Sequence, residues 1–182
     1  MIRKFLKAKS STMFILLIAP LATAYIWIFA ILFLSQQYGI GLSSLLLFIP
    51  AITLVVFFFL VAGGWLWSVA IGLHQRISEM LQVSLLKFKI IFFAIPFVCI
   101  ISFLFLIFID IPLQLIAYSG LLFTKIGILY LIYCCAQIMK TIELKRHIKF
   151  SDFAGECFLI LFFPIGIWII QPRINKIMDA AE

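Results

Sequence analysis

Lys125 is the one charged side chain inside the uninterrupted apolar run of residues 114–137, the twelfth of its 24 residues. A lysine near the middle of a membrane segment is unfavourable by about 2.5–3.5 kcal/mol on insertion scales, so something must offset it. Three uses of the side chain are open. It can donate hydrogen bonds to buried acceptors of a helical bundle. It can hold or move an anion or a proton. It can also snorkel, laying its methylene stem along lipid and lifting the ammonium toward the headgroups. Tyr118, seven residues earlier, falls on the same helical face and is a candidate hydrogen-bonding partner.

Other chemistry finds little support. An intramembrane aspartyl protease needs two acids within the membrane, and the four long apolar runs contain none. The chain has no Walker loop, no GxSxG and no HExxH, and His74 and His147 lie in separate polar stretches. Cys99, Cys134, Cys135 and Cys157 lie in or at the edge of apolar segments without a CxxC spacing, which argues against a metal site or a disulfide framework. These absences predict a protein that is not an enzyme and has no cofactor and no metal. Gly64, Ser68 and Gly72 recur at every fourth residue, making a small-residue stripe against which a second helix can pack, with a serine able to bond across it. Trp65 and Trp67 beside the stripe read as interfacial anchors.

The elements that must hold these residues are membrane helices. Of 182 residues, 66% are hydrophobic and 12% charged, with a mean hydropathy of +1.28. A soluble domain is nearer half apolar and a quarter charged. Four runs are long enough to span a bilayer as helices: 13–35, 45–67, 90–109 and 114–137. Helices are required because an open strand leaves backbone groups unpaired in lipid. The start of the chain, with a basic cluster, an apolar stretch and Ala22–Ala24, mimics a secretory signal. The apolar run continues to residue 35, so an uncleaved first helix is predicted. No polar stretch is long enough for a soluble domain, and residues 1–182 read as one polytopic membrane domain, all-α.

A fifth apolar run, 157–170, is shorter: 14 residues of helix cover about 21 Å, short of a span. Pro164 removes a backbone hydrogen bond and Gly166 weakens the helix, which predicts a bend there. Charge gives an independent test. Basic residues in the successive segments outside the four spans number 4, 0, 3, 0 and 4, which places the N-terminus in the cytoplasm. If run 157–170 dips and returns, Arg173 and Lys176 join the other cytoplasmic bases; if it crosses, they alone lie outside. Length and charge together predict a re-entrant or interfacial segment and a cytoplasmic C-terminus. On this topology Asp110 and Glu156 lie at opposite membrane surfaces.

The net charge of +7 comes from residues flanking membrane segments, where retention on the inner side and anionic lipid account for it, so no nucleic-acid partner is expected. Leu73, Ile77, Met80, Leu81 and Phe88 share one helical face, the pattern of an amphipathic helix on the inner leaflet. Residues 138–153 read equally well as a second such helix or as a solvated loop.

The stretch "FFPIGIWIIQPRINK", preceded by "FSDFAGE", resembles a segment of small integral membrane proteins of bacteroidete bacteria for which no activity is established. The resemblance implies a bacterial inner-membrane setting and no site residues. The expected function is an accessory or structural subunit engaging membrane lipid or a membrane-protein partner, its oligomeric state open. The alternative is a small transporter or channel subunit using Lys125.

Overall fold

The computed structural model describes residues 6–38, 56–57, 59–75, 85–108 and 111–179. Among these residues every regular element is helical. They are α1 (Ser10–Tyr38), a π-helical turn (Phe59–Gly63) leading into α2 (Gly64–His74), α3 (Leu85–Phe108), α4 (Ile111–Leu144), α5 (Phe150–Leu161) and α6 (Phe163–Asp179). Three stretches, Ser10–Gln37, Leu85–Ser102 and Tyr118–Leu144, are long and apolar enough to cross a membrane. The predicted span 45–67 lies largely outside the described residues, as does the middle of the predicted amphipathic segment, 76–84, with Ile77, Met80 and Leu81.

The helices overrun the apolar runs that predict them. The span predicted over 90–109 begins at Leu85, so Lys87, Phe88 and Lys89 occupy its first turns and do not belong to a surface helix. The span predicted over 114–137 runs on to Leu144 and absorbs the first half of the segment read as a loop or surface helix. Lys145, with φ of 50°, ends it. Its N–H donates to the Thr141 carbonyl at 2.9 Å, a left-handed terminal turn filled by lysine where glycine is usual. Asp152 then opens α5: its carboxylate accepts from the Lys149 N–H at 3.0 Å, satisfying a donor that helix starts leave orphaned. Arg146 lies 3.6 Å from the same carboxylate.

The apolar run 157–170 belongs to two helices. The break falls at Phe162, two residues before Pro164. The Phe162 N–H closes α5 on the Phe158 carbonyl at 3.0 Å, and its own carbonyl accepts from Ile165 and Gly166 at 3.0 and 2.9 Å. Pro164 therefore sits in the first turn of α6, where a missing N–H is tolerated, and a continuous helix would instead leave Ile160 without its donor.

The chain divides into two compact units, Met1–Ser68 with Ile167–Glu182, and Val69–Gly166. In the first, α1 is apolar all round, with Tyr25, Ile26 and Phe29 exposed, as a lipid-surrounded helix requires. Residues of α6 hold the segment that precedes α1. The buried Gln171 donates to the Leu6 carbonyl at 2.9 Å, Asn175 donates to the Ala8 carbonyl at 3.4 Å, and Lys7 lies 3.8 Å from Asp179. Phe14 and Trp168 pack with ring centroids 5.5 Å apart. In the second unit, α3 and α4 pack along their length and α5 returns against the C-terminal half of α4.

Candidate functional site

The contact of α3 with α4 decides which way Lys125 points. On α4, Gly120, Thr124 and Gly127 form one face at helical spacing. A methyl group on Gly120 would collide with the Ser102 hydroxyl, and one on Gly127 would lie 3.0 Å from Ile95 Cδ1. Two glycines a heptad apart thus let α3 approach closely, as small residues do between membrane helices. Residues two apart on a helix point about 200° apart, so Leu122 and Lys125, two residues from Gly120 or Thr124 and from Gly127, must face away from α3. Both are exposed, and so are Leu115, Tyr118 and Leu129. These five recur at alternating intervals of three and four, the spacing of a helix-packing seam, with Lys125 its only charge. Among the described residues no hydrogen bond or ion pair is made by Lys125. Tyr118 shares its face, as predicted, two turns away and equally outward.

An ionisable cluster lies near the C-terminal end of α4, and the sequence reading misses it. Lys140 Nζ is 2.9 Å from Glu156 Oε1 of α5 and 3.3 Å from Glu143 Oε2, one turn on along α4. Glu156 is 7% exposed, so its carboxylate depends on this lysine. Tyr133 of α4 is ring-packed on Phe150 and Phe153 of α5. The missed signal is that Glu156 directly borders the apolar run 157–170, where a carboxylate requires a basic partner from another element. Among the described residues no buried side-chain nitrogen or oxygen lacks a partner.

The remaining predicted residues divide between these settings. Ser68 is buried, and its hydroxyl donates to the Gly64 carbonyl at 2.7 Å, so its proton is used inside α2 and not across to another helix. Gly64 and Gly72 flank it, half-buried. Trp65 is no interfacial anchor: it is fully buried, and its indole N–H donates to Gln171 Oε1 at 2.8 Å. Pro164 and Gly166 lie just past the α5–α6 break, Gly166 buried against α5. Cys134 and Cys135 are buried, Cys99 and Cys157 half-buried, and all four are free thiols. No group of three or more metal-ligating side chains occurs among the described residues.

The chain matches no family model, no curated protein and no solved structure.

Proposed function

We propose that this protein is a non-catalytic, multi-pass subunit of the bacterial cytoplasmic membrane, engaging lipid over most of its helical surface and a membrane-protein partner over part of it. The observation that carries this reading is the division of polar groups among the described residues: buried ones are paired internally, while the mid-span ammonium of Lys125 faces outward. A transporter working through the interior of this chain needs the lysine turned inward, so the subunit reading takes precedence.

The topology that goes with it has four crossings, the second over residues 45–67, and both termini in the cytoplasm. Its support beyond charge counting is the attachment of Leu6 and Ala8 to Gln171 and Asn175. The basic start of α1 and the basic end of α6 are neighbours in one unit, which favours a single side for both. Along the outward face of α6, Ile165, Trp168 and Ile169 give way to Lys176 and Asp179, as expected of a helix emerging from hydrocarbon into water. On this reading α5 enters the bilayer, the break at Phe162 lies within it, and α6 leads back out.

Extraction of the protein from its own membranes in mild detergent, followed by native electrophoresis, tests the subunit reading. The chain should migrate with a second defined protein, well above its own 20.8 kDa. Migration alone, together with ion or solute flux in vesicles containing only this chain, would replace the reading with the transporter alternative.

A further inference from the structure

We infer that the outward seam of α4 receives a transmembrane helix of a different protein that carries a carboxylate near the middle of its span. The inference rests on the subunit reading and names the chemistry of the partner. The seam, Leu115, Tyr118, Leu122, Lys125 and Leu129, lies opposite the α3 contact, and its three-and-four spacing suits a second helix packed at a shallow angle.

Charge selects the occupant. Within the apolar run 114–137, Lys125 lies about 16 Å of helix from one end and about 18 Å from the other. Both exceed the half-thickness of the hydrocarbon core, about 15 Å, and the four-carbon stem of lysine is far shorter than either. Lipid headgroups therefore leave the ammonium unmatched. The chain supplies no acid either. Its Asp and Glu residues are Glu79, Asp110, Glu143, Asp152, Glu156, Asp179 and Glu182; none lies inside a predicted span, and Glu143 and Glu156 hold Lys140. Residues 39–55, outside the described set, contain no acid, so they cannot neutralise the lysine if they approach this face. A second copy would bring another Lys125 and no mid-span carboxylate. A carboxylate on a foreign helix satisfies the donor wherever the shared proton resides, and intramembrane charges are characteristically paired in this way.

The test uses the full chain, fused at its C-terminus to a fluorescent donor and reconstituted in phosphatidylcholine vesicles. Acceptor-labelled polyleucine spanning peptides carry a single central Glu, Gln, Lys or Leu. Energy transfer to the Glu peptide should reach half-maximum at a peptide fraction about tenfold lower than for the Leu peptide, the size of one good intramembrane polar contact. Lys125→Met should remove that preference. Lys125→Glu should transfer it to the Lys peptide, which also shows that the variant is folded. Equal transfer to Glu and Leu peptides by the unaltered chain would overturn the inference, as would an undiminished Glu preference in Lys125→Met. Energy transfer between donor- and acceptor-fused copies without peptide, lost in Leu122→Trp, would assign the seam to a second copy and also overturn it. A chain that migrates alone from its own membranes but prefers the Glu peptide defeats the subunit reading and leaves the seam. A native complex indifferent to the central peptide residue does the reverse.

Discussion

A methyl group on Gly166 would overlap the main-chain carbonyl oxygen of Leu159, seven residues earlier across the α5–α6 break. The obstacle is backbone, so no side-chain rotation relieves it. Gly166→Ala must move one helix end off the other and should destabilise the protein by about 1–3 kcal/mol, the usual range for inserting a methylene into a packed site. Pro164→Leu should change stability by less than about 1 kcal/mol, because a first-turn proline withholds a donor that has no intrahelical partner. Folded fraction after heating in detergent, read by tryptophan fluorescence, compares the two. A larger loss in Pro164→Leu than in Gly166→Ala would mean that the proline, and not the close approach, fixes the break. The double replacement Pro164→Leu/Gly166→Leu should remove both obstacles to a continuous helix and expose some C-termini on the other side of the membrane.

The same pair shows what could be read from the sequence. Proline and glycine within a 14-residue apolar run announce an interruption, and the break lies within two residues of Pro164. That Gly166 abuts Leu159 depends on packing, which no local pattern encodes. The long helices were readable as apolar runs, but their ends were not. Hydropathy falls at Gln137 and Lys140, while α4 continues to Leu144 with the Lys140 charge met by Glu156 of the next helix. The direction of Lys125 was hidden for a related reason. A helix apolar on every side gives no periodicity to orient it, and only Gly120 and Gly127, read as the α3 contact, would have done so.

The Lys140–Glu156 pair should behave as a partly buried ion pair whose loss costs more from one side than from both. Lys140→Met leaves the buried Glu156 carboxylate without its lysine and should destabilise by about 2–4 kcal/mol, whereas Glu156→Gln should cost less because Lys140 keeps Glu143 at 3.3 Å. Lys140→Met/Glu156→Leu together should cost clearly less than the sum of the single changes. A double-mutant cycle on thermal inactivation in detergent measures the coupling. Additive single losses would show that the two side chains do not act as a pair.

Gln171 joins three elements, accepting from Trp65 and donating to the Leu6 carbonyl and to Asn175 Oδ1 at 3.3 Å. Gln171→Leu removes the acceptor of the Trp65 N–H and the bond to the Leu6 carbonyl, whereas Trp65→Phe removes a single donor and should cost about 1–3 kcal/mol, part of it cavity. Trypsin should therefore cut at Lys7 and Lys9 several-fold faster in Gln171→Leu than in Trp65→Phe at equal folded fraction. Equal rates would mean that Asn175 and Asp179 alone hold the segment.

The proposed topology puts both termini on one side of the membrane, with α5 and α6 entering and leaving by the same face. Reporter fusions measure this directly: one enzyme active only in the cytoplasm and one active only in the periplasm, each placed after Glu182 and after Gly39. The cytoplasmic reporter should be active and the periplasmic one silent at Glu182, with the opposite result at Gly39. Periplasmic activity at Glu182 would contradict the return of the C-terminal segment and establish a fifth crossing.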